Sequence, residues 1–156
     1  LVSGRAELRA HAIPIQFSLA DGVIVDVTLH DAAIRLTDIS ADGANAILAG
    51  VLSKQDIDTV VLPQAAIQLR RALAQDCTVA PSGAGCNCHP NTGGASVAEY
   101  LDVNHDCQLS DAEVLESSKV RAFVTPDILD SSVGDGVSFA VRTRLVSAQL
   151  VPSANL

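Results

Sequence analysis

Methionine and tryptophan are absent from this 156-residue chain, and Tyr100 with Phe17, Phe123 and Phe139 are its only aromatics. Nearly half of the residues are apolar all the same, so the core must be built from Ala, Val, Leu and Ile. A chain of this length suits one domain, burying about two thirds of its unfolded surface. No apolar run reaches the eighteen or so residues that a membrane-spanning helix needs. Cationic residues are scarce as well: ten Lys and Arg stand against eighteen Asp and Glu, a formal net charge of −8. That balance argues against nucleic acid and against anionic membrane surfaces as partners. Catalytic signatures are missing too, among them the phosphate loop, the G-x-S-x-G elbow, the H-E-x-x-H helix and the dinucleotide fingerprint. The expectation is that the chain is not an enzyme. It begins at Leu1 with no charged n-region ahead of an apolar stretch, so a mature product or a cut fragment is expected.

The scarcity of cations is sharpest between Glu99 and Glu116, which hold six carboxylates and no Lys or Arg. Within that stretch, Asp102, Asn104, Asp106, Ser110 and Glu113 fall at positions 1, 3, 5, 9 and 12 of a twelve-residue run. This is the ligand order of an EF-hand calcium loop. Calcium is a hard cation that takes six to eight oxygens, and alternating carboxylates and amides on a curling backbone supply them. Gln108 would give its backbone carbonyl, Ser110 a ligand directly or through water, and Glu113 both carboxylate oxygens. Leu109 is apolar at the position that packs inward. One departure stands out: Cys107 occupies position 6, where glycine ordinarily makes the sharp turn. Ser96 to Leu101 reads as an entering helix. Ser110 with Glu113 forms a capping box for an exiting one, which sets two demands on the same Glu113 carboxylate.

Cys77, Cys86, Cys88 and Cys107 crowd into one segment, an even number that points to disulfides and an oxidising compartment. Cys86 and Cys88 are too close in sequence to pair easily with each other. Cys77 with Cys86 and Cys88 with Cys107 is the favoured pairing, and the exchange of partners stands beside it. In either arrangement a bridge from Cys107 would pin the loop where it lacks glycine. Haem attachment and zinc fit the spacing of these cysteines, with His89 and His105, less well.

Strands are expected at both ends of the chain. Ile13, Ile15, Phe17 and Leu19 alternate with polar residues, Asp21-Gly22 signals a turn, and Val23, Val25, Val27 and Leu29 alternate again. A third short strand is read through Ala32, Ile34 and Leu36, beyond His30-Asp31. Ala44 to Leu48 reads as a short helix stopped by Gly50. Ser53 with Asp56 caps the next one, and Pro63 starts another through Leu69 and Leu73, with Arg70 and Arg71 near its end complementing the dipole. Ala80 to Gly94 is a Gly- and Ser-rich loop. Ser118 to Val124 reads as helix, and Asp127, Asp130 and Asp135 form a second acidic turn that fits no metal template. Val137 to Leu145 alternate as a last strand, and a shift of apolar phase to Val146, Ala148 and Leu150 suggests a bulge or a strand passing beyond its sheet. The whole, residues 1–156, is expected to be a single α+β domain. Its antiparallel sheet would join the N-terminal hairpin and the C-terminal strand, with helices and a disulfide-rich calcium-binding subregion at about 77–130 in the middle.

The loop DVNHDC, the cysteine-rich segment before it and the acidic turn TPDILD after it resemble EF-hand-containing secreted or lipoprotein-like bacterial proteins of unassigned function. The resemblance extends upstream through ISADG…LAG…VLP…DC and covers most of the chain. It implies an exported, calcium-binding protein in which Asp102, Asn104, Asp106, Gln108, Ser110 and Glu113 are ligands. The function expected is that of an extracellular or periplasmic calcium-binding structural or cell-surface protein, self-associating into a homo-oligomer or filament through its long terminal strands. A secreted module for a lipid or other apolar ligand is the alternative. A paired EF-hand sensor is disfavoured, because there is no second loop and no Met-rich groove.

Overall fold

Alternation of apolar and polar residues builds a long N-terminal hairpin. In the computed structural model, which describes residues 4–19 and 22–146, β1 (Ala6–Ser18) pairs antiparallel with β2 (Ile24–Ser40). Ile13 lies opposite Leu29, and Phe17 opposite Val25. Asp21 of the expected turn lies outside the described residues. Gly22 after it takes a left-handed φ of 79°.

His30-Asp31 does not end β2. Asp31 has a φ of 48°, and the pairing with the next strand slips between His30 and Ala33. A bulge of this kind adds one residue and so reverses the face that each later side chain takes. Val25, Val27 and Leu29 are buried before it, and Ala32 after it. The expected third strand is therefore the far half of β2.

The expected helix at Ala44–Leu48 is strand β3 (Gly43–Ser53), paired with β2 on one side and with the last strand on the other. Helix propensity in ANAILAG is a weak preference, and pairing along both edges overrides it. Gly50 is a point of close approach rather than a helix stop. A Cβ there would lie 2.6 Å from Leu29 Cγ and 2.7 Å from the His30 carbonyl oxygen.

Ser53 caps α1 (Lys54–Asp56) by accepting the Asp56 N–H, as its spacing predicts. A π-helical turn (Ile57–Val61) then leads directly into α2 (Leu62–Asp76). Pro63 lies in the first turn of α2, where its spacing predicts a helix start, although the chain ahead of it is already helical. It lacks the N–H that would continue the regular ladder, and a π turn just ahead of it absorbs the loss. After α2 come the paired strands β4 (Cys77–Val79) and β5 (Cys86–Cys88), then α3 (Gly93–Leu101), α4 (Asp111–Leu115) and α5 (Ser118–Phe123). The chain returns through β6 (Ile128–Ser131) and β7 (Gly134–Val146).

The main sheet has the order β1-β2-β3-β7-β6 and is antiparallel throughout. This is an α+β fold in which hairpin and C-terminal strand share one sheet, with β3 between them. Of the apolar phase shift expected beyond Leu145, Val146 still belongs to β7, and Ala148 and Leu150 lie outside the described residues. Two apolar clusters hold the layers together. Val25, Val27, Leu29 and Leu52 from the sheet meet Ile57 and Leu62 from the helical run. A second cluster joins Ala66 and Leu73 of α2 to Val97, Leu101, Leu109 and Val114 around the loop. Val120 packs against both. Among the described residues no helix is long and apolar enough to cross a membrane.

Candidate metal centre

The segment from Asp102 to Glu113 links α3 to α4, and local chemistry shapes each end of it. Thr92 caps α3 by accepting the Ala95 N–H at 3.3 Å. Ser110 caps α4, and Glu113 completes the capping box that its spacing predicts. Leu109 is buried between them, facing inward as expected.

Asp102 is only 3% exposed. Its Oδ1 accepts the Asp106 N–H at 3.1 Å and its Oδ2 the Cys107 N–H at 3.0 Å. Asn104 Oδ1 also accepts from the Asp106 N–H at 3.1 Å, and Asn104 Nδ2 donates to Asp106 Oδ2 at 3.0 Å. Asp106 Oδ1 in turn accepts the Gln108 N–H at 2.8 Å. The backbone curls because His105 and Cys107 both take left-handed φ values, 56° and 61°. The loop thus makes its sharp turn at position 6 without glycine.

Glu113 closes the mouth of the loop. Its Oε1 accepts the Val103 and Asn104 N–H groups at 3.1 and 3.4 Å, and its Oε2 the Ser110 N–H and hydroxyl at 2.9 and 2.8 Å. The Ser110 N–H, foremost, holds the Glu113 carboxyl below its ordinary value of 4.5. The Ser110 hydroxyl and the Asn104 and Val103 N–H groups add to this, against a desolvation that acts the other way.

Of the six expected ligands, then, Asp102, Asn104 and Asp106 are drawn into one hydrogen-bonded cluster, with Glu113 at its rim. Gln108 offers the cluster its N–H, and Ser110 is committed to the cap. The three carboxylates do not converge to within 4.8 Å of one another. Among the described residues only Cys77, Cys86 and Cys88 meet that test. Their sulfurs are closed into disulfides and are not thiolates, so that grouping is no metal site.

The bridges are Cys77–Cys88, with S–S 2.06 Å, and Cys86–Cys107, with S–S 2.18 Å. The favoured pairing of Cys77 with Cys86 and Cys88 with Cys107 gives way to the exchanged one, for a topological reason. β4 and β5 form an antiparallel pair with Cys77 directly opposite Cys88, and Val79 opposite Cys86. Cys86 is left to reach the loop. Its Sγ lies 3.5 Å from Asp102 Oδ2, a contact without a hydrogen bond since the disulfide sulfur carries no proton.

Arg70 of α2, expected only to complement the helix dipole, is a residue of this site. Its Nε donates to the Leu109 carbonyl at 2.7 Å, and its guanidinium pairs with Asp111. No local spacing signals a contact across 39 residues. In the second acidic turn, Asp127 is engaged by β7. Its Oδ1 accepts the Ser138 N–H at 2.6 Å and its Oδ2 accepts the Ser138 hydroxyl, bonds that lower its carboxyl pKa, the hydroxyl foremost. Comparison with protein-family models, curated proteins and solved structures gives no significant match.

Proposed function

We propose that the protein is an extracellular or periplasmic calcium-binding structural or cell-surface protein that self-associates, with Asp102, Asn104, Asp106 and Glu113 as side-chain ligands of the ion. The observation that carries this reading is the Asp102 carboxylate. It is almost wholly buried, yet no Lys, Arg or His among the described residues forms an ion pair with it. Two N–H dipoles offset part of that charge, but a buried carboxylate without a countercharge is costly. A divalent cation held with Asn104 and Asp106 is the countercharge that the donor set suits, because every expected ligand atom is a hard oxygen. Gln108 would add its backbone carbonyl, and Ser110 a ligand directly or through water. Glu113 must exchange its hydrogen bonds with Ser110 for the ion, so binding and the start of α4 are coupled. The disulfides support the oxidising address.

Calorimetric titration of the oxidised protein with calcium, and in parallel with magnesium, tests the site. One calcium at a dissociation constant of about 0.1–1 mM is expected, with magnesium weaker and Asp102→Asn inert. Absence of calcium binding, or equal binding by the variant, would end the reading. An apolar groove beside α2, lined by Leu19, Ala65, Leu69 and Ala72, supports the alternative of a module for an apolar ligand. Saturable fatty-acid binding lost in Leu69→Lys would favour that second reading.

A further inference from the structure

The groove beside α2 is apolar along one wall and polar along the other. On the helix, Ala65 and Ala72 are two turns apart, with Leu69 to one side of them and Gln68, Arg71 and Gln75 to the other. All six line the groove, and the two small alanines leave a space of about 340 Å³. Leu19, just past β1, closes the apolar side, so the groove lies between the two core clusters, which Leu19 and Leu69 join. Spacings of three and four residues set Gln68, Arg71 and Gln75 along a single rim.

Two polar groups on that rim lack partners. Gln68 Nε2 is shut off from solvent and has no hydrogen-bond partner, a costly state for an amide. Arg71 is exposed and forms no ion pair among the described residues, in a chain whose net charge is −8. Its neighbour Arg70 is engaged by Asp111, as Lys54 and Arg121 are by Asp58.

We infer that the groove takes an aliphatic monocarboxylate of medium chain length, its tail along Ala65, Leu69 and Ala72 and its head on Arg71 and Gln68. The inference rests on the second reading above, a module for an apolar ligand, and adds the head group that such a ligand carries. A planar guanidinium fork meets the two oxygens of a carboxylate side by side. A short rotation of the Gln68 side chain brings its amide to the same head, which gives the orphaned N–H an acceptor. A phosphate monoester, with more charge and more oxygens, calls for more cations than the one this rim holds. The tail is short for two reasons. The space lies at the low end of the range for small-ligand sites, about 300–1,000 Å³, and from Ala65 to Gln75 the helix runs only about 15 Å.

Isothermal titration of the oxidised protein with decanoate, decanol and decyltrimethylammonium, each below its micellar concentration, tests this. Decanoate should bind saturably at one site, decanol about tenfold more weakly, and the ammonium ion more weakly still. Arg71→Gln should bring decanoate down to the level of decanol and leave decanol unchanged. Its circular dichroism should match the wild type, because Arg71 is exposed. Gln68→Leu should weaken decanoate alone and should not lower the Tm of the free protein, since the amide bonds to nothing there. Decanol or the ammonium ion binding as tightly as decanoate overturns the inference, and so does a preference for decanoate that survives Arg71→Gln. Either result leaves the apolar-ligand reading standing. Absence of binding by all three probes ends both.

Discussion

Cys107 holds a left-handed φ of 61° at the sixth position of the loop and is bridged to Cys86 on β5. A covalent tie thus fixes the loop at the residue whose conformation glycine would otherwise supply. Closing a loop of this length is worth about 3 kcal/mol. Cys86→Ser with Cys107→Ser should lose roughly that much in urea unfolding. Cys86→Ser with Cys107→Gly should recover about 1 kcal/mol, because glycine takes φ > 0 without steric cost. Equal stability of the two variants would mean that position 107 is unstrained.

Arg70 joins α2 to both sides of the α4 cap through the Leu109 carbonyl and Asp111. Arg70→Ala should cost about 1–3 kcal/mol, since it strands a partly buried carbonyl and removes a charge-assisted bond. Arg70→Lys should recover little, because an ammonium cannot span both acceptors as the fork does. Denaturant midpoints of the two variants check this, and full recovery by lysine would contradict it.

Gly50 separates the strand from the helix expected at the same place. With Leu29 and the His30 carbonyl so close, Gly50→Ala should destabilise by about 1–3 kcal/mol through overpacking. In a helix the same change would stabilise by about 1 kcal/mol. The sign of the shift in thermal unfolding decides.

Asp58 accepts from Lys54 and Arg121, which lower its carboxyl pKa from 3.8, and Glu113 is lowered from 4.5, first by the Ser110 N–H. Both folded values lie below the unfolded ones. Their contribution is therefore complete above the unfolded values and is lost as pH falls through the folded ones. Stability from these groups should be flat above about pH 5 and decline below it. Asp58→Asn should flatten part of that decline in urea midpoints taken from pH 7 to pH 2.5. An unchanged acid slope would show that Asp58 does not carry it.

The sequence made the hairpin, the last strand and the caps at Ser53 and Ser110 legible because each rests on a short spacing. Ala44–Leu48 was misleading for a physical reason. A central strand with few β-branched residues is set by its two neighbours, which lie far away in sequence. The bulge at Asp31 was visible only as a change of apolar phase, which a turn would also produce. At the loop, spacing pointed to Asp102, Asn104, Asp106 and Glu113 but not to how deeply Asp102 is buried. Burial depends on Leu101, Leu109 and Val114 packing onto α2. The disulfide pairing followed from the register of β4 and β5, which four cysteines alone leave open.

Thermal unfolding of the oxidised wild type in about 1 mM calcium against excess chelator probes the ion as part of the fold. At a dissociation constant near 0.1–1 mM, calcium should add on the order of 1 kcal/mol. That corresponds to roughly 2–4 °C in Tm for a chain of this size, and the rise should vanish in Asp102→Asn and Glu113→Gln. An identical Tm in calcium and in chelator would mean that the buried Asp102 is satisfied by its two N–H donors alone, and that the loop is a turn rather than a calcium site.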